Sequence, residues 1–260
     1  MLRLIRPLNC LIASFVVFIS NKITYGESFP IYAMLGAFSI SAFINVTNDI
    51  FDLEVDRFNH PERPLVKGEV SLLDAYMIAL IFLILGLYFS SKHSNWALLL
   101  GSFGMFLGLL YNLEIKAVPI LGNILVSFVT FLAFLYGANL GNLERIIPGA
   151  LLGAYLQFLR EIIKSLEDKE GDKIYRKTVA HVFKEESLQY ILFFGIMFLT
   201  ILDVIPVFLG YSTLYGIGVF ALVNLPLWLF SRNIFRGEYS VMRKVLKFAT
   251  FSALFPLYFA

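Results

Sequence analysis

The sequence predicts an all-α, polytopic membrane protein: nine transmembrane helices in a single domain covering residues 1–260. Three observations carry this. Hydrophobic residues make up 58% of the 260-residue chain and charged residues only 15%, against about 25% in soluble domains, too few to cover a water-facing surface. Apolar stretches of roughly 20 residues, the length that crosses a bilayer, recur along the whole chain. The positive charge falls almost entirely in alternate connections between them.

The predicted spans are 4–20, 29–47, 71–91, 95–111, 117–139, 146–163, 188–209, 213–230 and 246–260. The first begins with Arg3 and Arg6, as a signal peptide would. The residues after Ser20 (Asn21, Lys22, Ile23, Thr24) lack a small-residue cleavage pattern, so it is read as a span. The 48–70 connection carries Pro61, Pro64 and Gly68, which exclude a continuous helix and predict a structured loop. The 112–116 connection is very short, whereas 160–187 and 231–247 are long and charged. No polar linker divides the chain. The single cysteine, Cys10, has no internal partner for a disulfide.

Of the 21 Lys and Arg residues, all but Lys22, Lys92 and Arg145 fall at the N-terminus or in the 48–70, 112–116, 160–187 and 231–247 connections. The expected placement is therefore the cell membrane, multi-pass, with the N-terminus and these loops cytoplasmic. Membrane lipids are the expected surroundings. A net charge of +2 gives no ground for a nucleic-acid partner, and the oligomeric state is open.

Acidic residues are concentrated at two span ends. In the first cluster, Asn48, Asp52 and Asp56 are spaced i, i+4, i+8, with Asp49 three before Asp52. On a helix all four share one face, where three carboxylates repel and require compensation. The second cluster is Glu161, Asp168 and Asp172, with Ser165 on the same face. Asp52 to Asp168 and Asp56 to Asp172 are both 116 residues, a spacing that looks like a duplicated half. A solvated acidic loop is the bland alternative, but ionisable groups next to an apolar span are costly and usually functional. Hard oxygen donors in this pattern suit Mg2+, which binds few carboxylates and completes its shell with water and phosphate. Two facing clusters would hold ions around one diphosphate. His60, His93 and His181 are isolated, so no His or Cys cluster competes as a zinc site.

Cations follow each cluster. Arg57, Arg63 and Lys67 come after the first, and Lys173, Arg176 and Lys177 after the second. Arg offers phosphate a fork of donors, and Lys a point charge. Tyr111, Asn112, Lys116, Gly122 and Asn123 form a third group on the same side, in which Asn123 lies inside an apolar span and needs a partner. Positive-inside topology and helix packing are the alternatives for these residues.

The run Asn48-Asp49-x-x-Asp52-x-x-x-Asp56, followed by Arg63-Pro64 and Gly68, resembles the first signature of the UbiA superfamily of intramembrane prenyltransferases. Arg6-Pro7-Leu8-Asn9 resembles its start, Tyr111…Lys116…Gly122-Asn123 its middle motif, and Arg160-Glu161…Lys164…Glu167-Asp168-x-Glu170-Gly171-Asp172 its second aspartate motif. The match runs from about residue 5 to 180; the last 80 residues match only in hydrophobicity. Many members have Asp where this chain has Ser165, which leaves the second metal's ligands open.

The resemblance implies helices around a central cavity capped by cytoplasmic loops, with an allylic diphosphate bound through Mg2+ to both aspartate motifs and ionised to an allylic cation that an acceptor attacks. It implies metal ligands among Asn48, Asp49, Asp52, Asp56, Glu161, Asp168 and Asp172. Asp52, Asp56, Asp168, Asp172 and Lys116 are the expected catalytic residues. Asn48, Arg57, Arg63, Lys67, Tyr111, Asn123 and Lys173 are the expected substrate-binding residues. The second motif and the extra cations favour a lipid-like phosphorylated acceptor, geranylgeranylglyceryl phosphate, with geranylgeranyl diphosphate as donor. An aromatic acceptor, as in quinone or haem O synthesis, is the alternative within the family. An ion-coupled transporter is the alternative outside it, but its acids belong mid-span, where only Asp203 stands out. The Asp-Gly and Ala-Arg signature of CDP-alcohol phosphotransferases is absent.

Overall fold

The structure, a computed structural model, describes residues 2–26, 29–113, 115–138, 140–173 and 177–260. Among these residues every regular element is helical. The chain divides into two compact units, residues 1–117 with 132–143, and residues 118–131 with 144–260.

The first unit opens with α1 (Leu2–Ile5) and α2 (Pro7–Tyr25), separated by Arg6 in the left-handed region at φ 52°, ψ 67°. Pro7 cannot continue a hydrogen-bonded helix, so a new one starts there. Then follow α3 (Ile31–Phe51), α4 (Leu53–Asn59), α5 (Leu72–His93) and α6 (Asn95–Leu113). Between α4 and α5 the prolines produce the predicted run of turns, closed by Gly68 at φ 71°. The α5 start is capped by Ser71, whose hydroxyl accepts the Asp74 backbone N–H at 3.1 Å.

Small residues bring these helices together, as expected where lipid removes the hydrophobic drive for association. A Cβ on Gly108 would lie 2.8 Å from Ile44 Cγ1, so α6 packs against α3 through a bare backbone. Phe43, Val46 and Ile50 of α3 share a buried core with Leu4, Ala75 and Met105. On the opposite face of α5, Ile81, Ile84 and Tyr88 are exposed, as lipid-facing side chains would be.

Next comes α7 (Leu121–Tyr136), whose first part belongs to the second unit and whose end belongs to the first. The second unit continues with α8 (Ile147–Glu167), α9 (Lys169–Asp172), α10 (Val179–Val182), α11 (Glu185–Leu202), α12 (Ile205–Phe208) and α13 (Thr213–Val219). A π-helical turn, Phe220–Asn224, leads into α14 (Leu225–Phe230), α15 (Arg232–Phe235), α16 (Tyr239–Ser252) and α17 (Leu254–Leu257). α8 is packed against α11 and α16, and Gly195 admits Leu159 at a distance no Cβ would allow.

Helices occupy all nine predicted segments, but they differ in character. Among the described residues six are long and apolar enough to cross a membrane: Pro7–Tyr25, Ile31–Phe51, Leu72–His93, Asn95–Leu113, Glu185–Phe208 and Thr213–Phe235. Leu121–Tyr136 is apolar but shorter. α8 carries Gln157, Arg160, Glu161 and Lys164 along its length. The last predicted segment begins at Tyr239 rather than 246, because Arg243, Lys244 and Lys247 hide an amphipathic helix from a hydropathy reading.

Candidate active site

The first acidic cluster sits at the end of α3. α3 stops at Phe51; Asp52 (φ −92°, ψ 4°) ends it and starts α4. Asp49, Asp52 and Asp56 are only 3%, 5% and 4% exposed. Three buried carboxylates on one face demand positive charge, and three cations supply it, Arg63 from the following loop and Arg6 and Lys116 from distant parts of the unit.

Arg6 Nη2 pairs with Asp49 and lies 3.4 Å from Asn48 Oδ1. The turn at Arg6 that starts α2 places this side chain at the end of α3. Arg63 Nη1 donates to Asp49 Oδ1 at 3.1 Å and pairs closely with Asp56. Lys116 Nζ donates to Asp52 Oδ1 at 2.6 Å. Amides order the remaining oxygens. Asn48 Nδ2 donates to Asp52 Oδ2 at 2.9 Å and to Asn112 Oδ1 at 3.1 Å, and Asn112 Nδ2 donates to Thr47 Oγ1 at 3.1 Å. Burial pushes the Asp56 carboxyl up to about 7; Arg63 opposes the rise, while Asp52 and Asp49 add to it.

The second cluster repeats the local geometry in the other unit. α8 stops at Glu167, and Asp168 (φ −88°, ψ 4°) ends it and starts α9. Asp168, Asp172 and Glu161 are all buried. Glu161 Oε1 accepts from Gln157 Nε2 at 2.9 Å and from Arg160 Nη1 at 3.1 Å. Ser165, where the resembled pattern has Asp, turns its hydroxyl back onto the Glu161 carbonyl at 2.9 Å. Glu167 pairs with Arg243 of α16 at 2.7 Å.

Not every expected residue joins these clusters. Arg57 is exposed and pairs with Glu54 at 3.1 Å. Lys67 is exposed, 3.9 Å from Glu69. Lys173 and Lys177 are exposed, and Arg176 lies outside the described residues. Tyr111 is half-buried, directly before Asn112. Asn123 Nδ2 is buried without a hydrogen-bond partner among the described residues.

Arg6, Asn112, Thr47, Gln157 and Arg243 enter the clusters without having been singled out as site residues. Arg6 was legible as a member of the start motif, and Asn112 as a member of the third polar group. Thr47, Gln157 and Arg243 left no signal, since polar residues at span ends are common.

The donor set fits Mg2+ in kind: buried carboxylate and amide oxygens with no thiol among them. Among the described residues, however, no three His, Cys, Asp or Glu side chains converge into a preformed shell. In the first cluster the carboxylates are held by Arg and Lys instead. The unpartnered Asn123 donor is suited to a phosphate oxygen.

The sequence profile of the UbiA prenyltransferase family matches residues 10–253. A digeranylgeranylglyceryl phosphate synthase of Methanococcus maripaludis is 33% identical over 219 residues, covering 82% of this chain and 78% of that protein. One from Pyrococcus horikoshii is 29% identical, covering 96% of this chain and 93% of that protein. A solved structure from work on digeranylgeranylglyceryl phosphate synthase in membranes matches with a TM-score of 0.73 at 29% identity, over 99% of this chain and 95% of that one. A UbiA homolog from Archaeoglobus fulgidus bound to GPP and Mg2+ matches with a TM-score of 0.72 at 22% identity, over 99% of this chain and 96% of that one, a likeness of fold. The chain belongs to the UbiA prenyltransferase family, and it is a membrane-embedded prenyltransferase.

Proposed function

We propose that this prenyltransferase moves a geranylgeranyl group from geranylgeranyl diphosphate to the glycerol hydroxyl of geranylgeranylglyceryl phosphate, with Mg2+ as cofactor, in archaeal-type ether-lipid synthesis. The observation that carries the choice of substrates is the similarity, over most of the chain, to relatives named for that product. Both units act as one functional domain in this reading. The N-terminus and the acid-bearing loops face the cytoplasm, as the distribution of Lys and Arg favours.

The residues that would hold Mg2+ are Asn48, Asp49, Asp52 and Asp56 in one cluster, and Asp168 and Asp172, with Glu161 beside them, in the other. When bound, Mg2+ neutralises charge on the leaving diphosphate. The protein's own cations do the rest. In the structure Arg6, Arg63 and Lys116 balance Asp49, Asp56 and Asp52. With metal and diphosphate present, these cations would be released from the carboxylates to meet phosphate oxygens, which would keep the buried charge balanced. Lys116 gives the leaving group a point charge, Arg63 a planar donor fork. Asn123 Nδ2 donates to a phosphate oxygen. These groups stabilise charge that develops as the C–O bond breaks, and apolar walls keep water from the allylic cation. Exposed Arg57, Lys67 and Lys173 serve the arriving phosphorylated acceptor by steering.

The test is a product assay on purified protein in detergent with geranylgeranyl diphosphate and Mg2+, offering geranylgeranylglyceryl phosphate and an aromatic acid as competing acceptors. An EDTA-sensitive diether phosphate is expected. Prenylation of the aromatic acid instead would overturn the acceptor and leave the reaction class intact.

A further inference from the structure

His181, isolated in sequence, is tied into the second aspartate motif. Its Nδ1 lies 3.1 Å from the Thr178 backbone N and 2.9 Å from Thr178 Oγ1, and its Nε2 lies 2.9 Å from the Lys169 carbonyl oxygen. A backbone N–H only donates, so Nδ1 is the bare acceptor. A carbonyl only accepts, so Nε2 carries the proton. Both ring nitrogens are therefore committed, in the neutral Nε2–H form.

The bond reaches a weak point. α9 is a single turn of four residues, Lys169–Asp172, entered from Asp168, and both aspartates are buried. One turn has no cooperative stability of its own. In the first cluster the corresponding turn belongs to the seven-residue α4, and Arg63 grips Asp56. The turn that follows Asp168 is also reached from twelve residues away by His181, through the Lys169 carbonyl. The Lys169 ammonium makes a longer 3.8 Å contact to half-exposed Glu185, a kind of pair that contributes little.

We propose that His181 is a positioning residue of this prenyltransferase: by donating from Nε2 to the Lys169 carbonyl, it holds the α9 turn so that Asp168 and Asp172 keep the separation a diphosphate-bound Mg2+ requires. This rests on the reading of Asp168 and Asp172 as metal ligands given above.

Two substitutions separate this role from simple capping of α10. The Asn amide reproduces the Nδ1 position, so His181→Asn keeps the acceptor for Thr178 and loses the donor to Lys169. The Gln amide reproduces the Nε2 position, so His181→Gln does the reverse. The readout is thermal stabilisation of the full-length protein in detergent by Mg2+ with the unreactive thiolodiphosphate analogue of geranylgeranyl diphosphate, recorded as the Mg2+ concentration giving half the effect. His181→Asn is expected to raise that midpoint roughly 10-fold, as losing a group that orients metal ligands does. His181→Gln is expected to hold it within about 3-fold of the parent on the same ground. A midpoint for Asn equal to or lower than that for Gln would overturn the proposal. Asp172→Asn runs alongside: an unchanged midpoint there would overturn the metal-ligand reading itself, a separate failure.

Discussion

Asp52 and Asp168 occupy the same backbone geometry, φ −92°, ψ 4° and φ −88°, ψ 4°, each ending a 21-residue helix and starting a short one. Ile31–Phe51 and Ile147–Glu167 are related by the same 116-residue offset as the aspartates themselves. In both halves the aspartate N–H closes the long helix onto the carbonyl four residues back at 2.9 Å, and the carbonyl of the same aspartate starts the next turn. Two copies of one device thus deliver carboxylates at helix ends, where donor groups can leave the apolar phase without unwinding the helix.

The two aspartates should accordingly be equally indispensable. Asp52→Ala and Asp168→Ala are each expected to abolish diether phosphate formation while the proteins still purify as folded, detergent-soluble species. Near-normal turnover in both would sink the metal-diphosphate reading.

Lys116 lies 2.6 Å from Asp52 and is only 11% exposed. Removing it leaves a buried carboxylate uncompensated, a loss of about 3–5 kcal/mol in comparable buried pairs. Lys116→Met should lower Tm in EDTA, and Mg2+ with a diphosphate should recover much of it, because the metal replaces the missing charge. Turnover should fall about 10²-fold, as when one transition-state charge stabiliser is lost. A Tm deficit that Mg2+ leaves untouched would count against exchange of cation for metal.

Arg63 bridges Asp49 and Asp56, so its removal should be coupled to theirs. Arg63→Gln alone is expected to destabilise strongly. Adding Asp56→Asn, which deletes one of the orphaned charges, should restore part of the loss, with a coupling of about 0.5–3 kcal/mol in a double-mutant cycle. Additive effects would show that Arg63 and Asp56 do not depend on one another.

Burial raises the Asp56 carboxyl from 3.8 to about 7 in the folded, metal-free protein. Between those values the folded state holds a proton that the unfolded state has released. Stability from this group is therefore fully present below 3.8 and is lost as pH rises through about 7. Tm in EDTA should be higher at pH 5.5 than at pH 8, whereas Mg2+-dependent turnover, which needs the ionised carboxylate, should rise with pH over the same range. Asp56→Asn should flatten the stability profile; a profile unchanged by that substitution would assign the effect elsewhere.

Gly108 tests the packing of the first unit. A Cβ there would lie 2.8 Å from Ile44 Cγ1, four residues before Asn48 on α3. Gly108→Val should lower Tm and weaken Mg2+ binding together, since it displaces the helix that carries the acids. Retention of parent Tm would show that α6 can give way.

The sequence by itself determined the helical class, the placement of the long apolar helices and the two acid-bearing helix ends. These follow from local chemistry: apolar runs of bilayer length leave the chain no other way to satisfy its backbone, and a period of 3.6 puts residues four apart on one face. It also carried the 116-residue repeat that the helix bounds reproduce. Only the tertiary structure decided which cations meet the acids. Arg57 and Lys67 stand closer to the aspartates in sequence than Lys116 does, yet they point outward, while Arg6 and Lys116 arrive from 43 and 64 residues away. His181 likewise gains its role only through contact with Lys169. The physical reason is one of range: periodicity fixes what shares a face of one helix, whereas the partner of a buried charge depends on which other helix end packs beside it.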